Sequence, residues 1–245
     1  MSACRPRRRE WRRDTIRPVA STRPELQDAA DAIHLIHQWV AASPLRVTVL
    51  PAPADTGHCL EALQVSTRSP LGALAFHTGG LLVDHGWLRV LGAGSAALPR
   101  ALDRWNITAD GPRCAEGLLV ADDALGGFFA WFRSPRTVHS LAPDTLEWKD
   151  STLGYTDWLD WALSGGIREF ARDLRWPEWA REVEPLDGAR ALLVSPPLFT
   201  EQTPIAERAR HAVPVEELWG LTQDLRRQLE GAPAGTALRL DVAGR

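Results

Sequence analysis

Two pairs of short apolar runs, each pair bent around turn residues, constrain this chain more than any other feature. Residues 81–83 and 87–91 flank Asp84-His85-Gly86, and residues 118–121 and 128–132 flank the stretch from Asp122 to Gly127. Runs this short do not make stable helices, and Asp and Gly at the breaks suit tight turns, so each pair predicts a β-hairpin. Residues 137–141 and 145–148 extend the meander as a third pair. Hairpins without regular intervening helices favour an antiparallel or mixed sheet over a doubly wound parallel one. A further strand is expected over 45–50, with Val47 and Val49 on one face.

Helical spacing brackets this β-rich centre. Pro24 can open a helix, with Glu25 and Asp28 near its positive end. Leu26, Ala29, Ile33, Ile36 and Val40 then recur at helical steps until Ser43-Pro44 stops the run. A short helix is expected over 59–63, after Asp55-Thr56. Beyond residue 154, Tyr155, Trp158, Leu159 and Ala162 make one stripe and Ile167, Phe170 and Leu174 a second, with Gly165-Gly166 as a break between them. Val215, Leu218, Leu221, Leu225 and Leu229 make the last, opened by Pro214 and closed by Gly231. The fold class read from this pattern is α+β: one domain over 24–230, a sheet of hairpins with flanking helices. Residues 231–245 are rich in small residues and read as a loose tail.

With 245 residues, 44% of them hydrophobic, the chain can bury one large core. No apolar run approaches the ~20 residues needed to span a bilayer, and the basic N-terminus lacks the apolar stretch of a secretory signal. Cys4, Cys59 and Cys114 are widely spaced and odd in number, which fits reduced thiols in a cytoplasmic protein. Lys149 is the single lysine. The net charge of −3 hides an asymmetry: residues 1–24 carry eight arginines against Glu10 and Asp14, so the rest of the chain carries −9. Residues 1–23 read as a basic, disordered arm, dispensable for folding, that contacts nucleic acid weakly if at all and lies outside the native protein if translation starts further downstream. The acidic body should repel nucleic acid and attract basic surfaces.

Few residues suggest chemistry. Gly92 and Gly94, with Ala97, match the G-x-G-x-x-A dinucleotide fingerprint after an apolar run, and Asp122 could stand for the ribose-binding acid. Against that reading, Pro99 falls inside the helix that would face the phosphates, and Asp122 lies further on than the usual ~20 residues. His77, Asp84, His85, Asp122 and Asp123 could converge if the two hairpins were neighbours, but Asp at a turn commonly serves its own backbone. His34 and His37 lack a third ligand. No catalytic signature, metal set or cofactor site is therefore expected. Most of the tryptophans read as packing residues, with Trp161 and Trp179 off the apolar stripes and expected at the surface. Asp122, Asp123, Asp144, Glu147, Asp157 and Asp160 are dense between residues 122 and 160. With Trp161 they are the candidate surface for a basic protein partner.

The run Gly79-Gly80-Leu81-Leu82-Val83-Asp84-His85-Gly86-Trp87-Leu88-Arg89-Val90-Leu91-Gly92 resembles an uncharacterised bacterial family of the domain-of-unknown-function type. So do Leu71 to Ala75, Trp105-Asn106, Gly117 to Asp123, Gly126 to Ala130, Pro143 to Trp148 and Leu174-Arg175-Trp176. The likeness covers roughly residues 25–220 and carries no activity with it. Its core is in turn similar to the SUKH superfamily, which includes the Smi-, Knr- and Syd-type proteins. That similarity implies an α+β fold and, for many bacterial members, immunity by binding a nuclease or deaminase toxin. The function expected is non-catalytic binding of a protein partner, a basic toxin domain for example. The alternatives are a nucleotide-dependent enzyme built on residues 92–97 and a housekeeping interaction protein.

Overall fold

The computed structural model describes residues 20–200 and 203–230. The basic arm up to residue 19 and the tail from Gly231 lie outside the described residues. Residues 20–23, which the sequence assigns to the arm, belong to the folded body. The Ser21 amide donates to Gln64 Oε1 at 2.7 Å, and Arg23 pairs with Asp55 at 3.1 Å.

Helix α1 (Arg23–Leu26) and α2 (Ile33–Ala42) replace the single helix expected from Pro24 to Ser43. The break is local chemistry. The carboxylates of Asp28 and Asp31 accept the amides of Ala30 (2.8 Å) and Ile33 (2.9 Å), which gives the backbone a turn in place of helix. Strand β1 (Val47–Pro51), α3 (Gly57–Leu63) and α4 (Pro70–His77) follow. Sequence periodicity missed α4 because it is apolar on every side. Its start was nevertheless written in Ser69-Pro70, where the Ser69 hydroxyl accepts the Gly72 amide at 3.1 Å.

The expected hairpins are β2 (Thr78–Val83) with β3 (Leu88–Leu91), and, past α5 (Leu102–Asn106) and the short ladder β4 (Ile107–Thr108) and β5 (Gly111–Pro112), β6 (Gly117–Asp123) with β7 (Phe128–Phe132). The third pair is β8 (Val138–Leu141) with β9 (Trp148–Asp150), whose second strand starts later than expected because Leu146 turns at positive φ to bury its side chain. Among the described residues the main sheet runs β1-β2-β3-β6-β7-β8-β9, antiparallel throughout. The α+β class and the meander of hairpins are thus as the sequence indicated. Helices α6 (Tyr155–Trp161), α7 (Ile167–Phe170) and α8 (Trp179–Val183), the hairpin β10 (Arg190–Ser195) with β11 (Ala209–Pro214), and α9 (Val215–Leu229) complete the chain.

Register sorts the sheet's side chains. Leu81, Val90, Ala121, Phe129, Ser140 and Lys149 are successive cross-strand partners and share one face. Leu82, Arg89, Asp122, Phe128, Leu141 and Trp148 share the other. Helices α6 and α7 cover the first face, where Phe129 meets Trp158 and Phe170. On the second face Phe128 meets Trp219 of α9, with ring centroids 4.8 Å apart. The three hairpin turns all lie at one end of the sheet. The chain from α7 to β10 wraps around that end, passing from one face to the other.

Candidate functional site

The wrapped segment is fastened by buried charges, and these are the acids the sequence assigned to a partner surface. Asp122 is 1% exposed and Asp123 2% exposed, which corrects their expected placement at the surface. Asp122 sits between Arg89 (2.7 Å) and Arg100. The same two guanidinium groups donate to the carbonyls of Arg190 and Gly188 at the entry to β10. Asp123 Oδ1 accepts the amides of Leu125 and Gly127, both at 2.8 Å, and so holds the β6–β7 turn. Burial pushes its carboxyl up to about 6, although those bonds oppose the shift.

At the neighbouring β2–β3 turn, Asp84 accepts Arg175 (2.7 Å) and Arg168 (2.9 Å). Against the cost of burial, these bonds hold the Asp84 carboxyl below its ordinary range. The Arg175 guanidinium is also packed between Trp87 and Trp179, 4.7 and 4.1 Å from their ring centroids. Trp179, expected at the surface, is therefore half-buried. The two hairpins are neighbours, as a shared carboxylate site would require, but arginines meet the carboxylates there. Every one of these contacts has a structural role, docking residues 167–195 onto the turn end of the sheet.

The remaining candidates separate. Asp144 and Glu147 are exposed on the β8–β9 turn, while Asp157 is exposed and Asp160 half-buried on α6. The β8–β9 turn and the start of α6 stand at opposite ends of the β8–β9 ladder, since α6 departs beyond Asp150, the partner of His139. The six acids do not share one face.

The geometry of the glycine loop offers little to a dinucleotide. The amides of Ala93, Gly94 and Ser95 are spent on Thr78 O (2.8 Å), Gly79 O (3.2 Å) and Leu98 O (2.9 Å), so none is free to receive a phosphate. The next helix, α5, starts only at Leu102 and is five residues long. Gly92 is needed because a Cβ there would stand 2.6 Å from Gly80 N. His77 pairs with Asp31 (2.6 Å) and His85 with Glu184 (3.0 Å), at separate places. Among the described residues no group of three or more His, Cys, Asp or Glu could hold a metal. Burial raises the thiols of Cys59 and Cys114 to about 12 and about 11, which leaves both without nucleophilic character near neutrality.

Trp161 leads to a half-open hollow walled by aromatic rings. Between α6 and α7 the chain forms a π-type turn, Ala162–Gly166, with Gly165 at φ +106°. Such turns inside helices are frequent at functional sites. Here the turn re-aims the chain so that Phe170 faces Trp161 edge-on, ring centroids 6.1 Å apart. Phe170 also meets Phe129 at 5.8 Å, and Phe129 meets Trp158 at 5.5 Å. These four rings, with Val138, Leu153, Ser140, Lys149, Asp150 and Ser151, enclose about 280 Å³.

The floor of this hollow is the cross-strand row Phe129, Ser140, Lys149, and its far side is the free edge of β9. Phe170 stays 42% exposed at the mouth. The Ser140 hydroxyl and the Lys149 ammonium make no hydrogen bond or ion pair among the described residues. Asp150 is turned away, bonded to the Thr152 amide (2.8 Å) and 3.6 Å from His139 on the opposite face. Among the described residues no base contacts Ser140, so its hydroxyl has no partner that would activate it as a nucleophile. A second, apolar cavity of about 100 Å³ beneath α9 offers leucines and a Thr222 hydroxyl already bonded to Leu218 O. Sequence reading had singled out Trp161 and the lone lysine but not the hollow. The missing link was the register that sets Phe129, Ser140 and Lys149 in one row.

A family of unknown function, DUF2625, matches residues 25–218. The chain is 34% identical over 200 residues to the YbfG protein of Escherichia coli, covering 78% of this chain and 90% of that one. It is 36% identical over 166 residues to a protein of Haemophilus influenzae described as uncharacterized, covering 64% and 73% respectively. No solved structure matches it. The match across residues 25–218 and the two relatives identify this chain as a member of the DUF2625 family.

Proposed function

We propose that this is a non-catalytic, cytoplasmic binding protein that recognises a protein partner through the rim of the α6–α7 hollow. The observation that carries the reading is the half-open aromatic mouth made by Trp161 and Phe170. Trp161, expected at the surface, is half-buried there and Phe170 exposed; aromatic rings beside a concavity are the usual anchors of protein interfaces. Asp157 lies one helical turn before Trp161 on α6, and Asp160 three residues after Asp157. The two α6 members of the acidic set therefore adjoin the aromatic mouth, whereas Asp144 and Glu147 lie apart from it.

The partner class in this proposal is a basic protein domain, as in the toxin-binding members of the SUKH superfamily that the sequence resembles. Among the described residues no helix is long and apolar enough to cross a membrane. The test is association with the product of a neighbouring gene, measured from low to physiological salt. Steering by Asp157 and Asp160 predicts a steep fall in on-rate as the Debye length shrinks from ~30 Å at 0.01 M to ~10 Å at 0.1 M. Phe170→Ala should speed dissociation, and Asp157→Lys with Asp160→Lys should slow association. Unchanged rates in both folded variants would sink the reading, and a metabolic enzyme as the bound partner would favour a housekeeping role.

A further inference from the structure

We infer that the α6–α7 hollow is also a small-molecule site, selective for an aromatic ring bearing a carboxylate. The inference goes beyond partner binding and needs no partner. It rests on the order of groups along the hollow's floor. Cross-strand pairing places Phe129, Ser140 and Lys149 side by side, running from the core to the sheet edge. A ligand lying along that row meets an aromatic ring first, then a hydroxyl, then an ammonium group.

The inner half is closed by rings. Phe129 and Trp158 are tilted 44° to each other and Phe129 and Phe170 56°, while Trp161 stands at 85° to Phe170. Tilted and edge-on walls suit an inserted ring, which can stack on one neighbour and meet the edge of another. About 280 Å³ is room for one ring with a short chain.

The outer half supplies unmatched donors. Ser140 is 8% exposed and its hydroxyl has no partner, although it lines the hollow. The hydroxyl opens onto the hollow and is free to donate to a ligand acceptor there. Lys149, next in the row, has no carboxylate partner among the described residues. The acids nearby are Asp150, which lines the hollow but is engaged by the Thr152 amide and His139, and Asp157 on the first turn of α6. Neither pairs with Lys149. A carboxylate at the mouth would receive a charge-assisted bond from Lys149 while its ring lies among Phe129, Trp158 and Phe170. The hollow has the usual composition of a ligand site, apolar walls with a few convergent polar groups.

The test is calorimetric titration of the full chain with 3-phenylpropionate and with its neutral counterpart 3-phenylpropanol. Selectivity predicts that the carboxylate binds about tenfold more tightly, the worth of one charge-assisted bond. Lys149→Met should erase that difference and leave phenylpropanol unchanged. Ser140→Ala should weaken the carboxylate severalfold, and Phe170→Ala should weaken both ligands. Thermal melts confirm that each variant is folded. Equal affinities in the wild-type chain, a preference that survives Lys149→Met, or no binding of either ligand at millimolar concentration would overturn the inference. Partner association is judged separately, by the salt-dependent on-rate of Asp157→Lys with Asp160→Lys; Phe170→Ala is common to both tests, whereas Lys149→Met and Ser140→Ala report on the ligand alone.

Discussion

The indole of Trp161 lies flat against Gly166, in the space that a side chain at 166 would fill. The glycine pair that reads in sequence as a helix break thus has a second use, as the bed for a ring that walls the α6–α7 hollow. Gly166→Ala should cost about 1–3 kcal/mol, the range for overpacking a fitted site. In a Trp161→Ala background the same change should cost under ~1 kcal/mol, because the clash partner is gone. Urea denaturation of the four proteins gives the coupling. Strict additivity would mean that Gly166 is not there for Trp161.

The two arginines on Asp84 should differ sharply. Arg175 is buried between two indoles, whereas half of the Arg168 side chain is exposed. Removing Arg175 leaves the buried Asp84 carboxylate with only the half-exposed Arg168, so Arg175→Met should destabilise by about 3 kcal/mol. Arg168→Met should cost under ~1 kcal/mol, as for surface pairs. The measurement is the urea midpoint of each variant. Similar losses would show that solvent screens both pairs equally.

Asp123 should make stability fall as pH rises. Its folded-state carboxyl is raised to about 6, first by burial, while the unfolded chain has the ordinary value near 3.8. The fold therefore favours the neutral acid. That contribution is complete below about pH 4 and is lost as pH rises through about 6. Arg89 and Arg175 attract the charged form and Asp122 repels it, so the shift already contains their effects. In Asp123→Asn the amide oxygen can accept the Leu125 and Gly127 amides without titrating. At pH 7 the variant should be more stable than the wild type by up to about 3 kcal/mol, a gap that closes by pH 4. Parallel stability curves from pH 4 to 7 would show that Asp123 does not titrate in this range.

The hairpins were legible because turn chemistry and short apolar runs are local signals. Asp84, His85 and Gly86 do adopt the positive φ that a tight turn requires. The hairpin β10–β11 was not legible, because β11 is mostly exposed and carries little apolar pattern, so its pairing is set by where β10 docks. The misplacement of Asp122 and Asp123 has a related cause. A turn acid is exposed by default, and only the distant Arg100, Arg89 and residues 188–192 bury these two. The floor of the hollow needed register, and a slip of one residue would have turned Ser140 and Lys149 to the other face.

The glycine loop at 92–94 should behave as structure and not as a cofactor site. Gly92 lets the chain leaving β3 pass close against β2, where a Cβ would stand 2.6 Å from Gly80 N and 2.7 Å from Thr78 O. Both of those neighbours are backbone, so neither can swing aside. Gly92→Ala should therefore destabilise by about 2 kcal/mol or more, through strain in the β2–β3 crossing. The loss should be the same with and without dinucleotide. A ligand bound only by the folded state at ~100-fold over its Kd would add about 2.7 kcal/mol. Thermal melts of the wild-type chain with millimolar NAD, NADP or FAD should show no such gain, because the amides of 93–95 are already bonded within the protein. A clear upward shift with any of the three, lost in Gly92→Ala, would restore the nucleotide reading and make the loop's internal bonds exchangeable for phosphate.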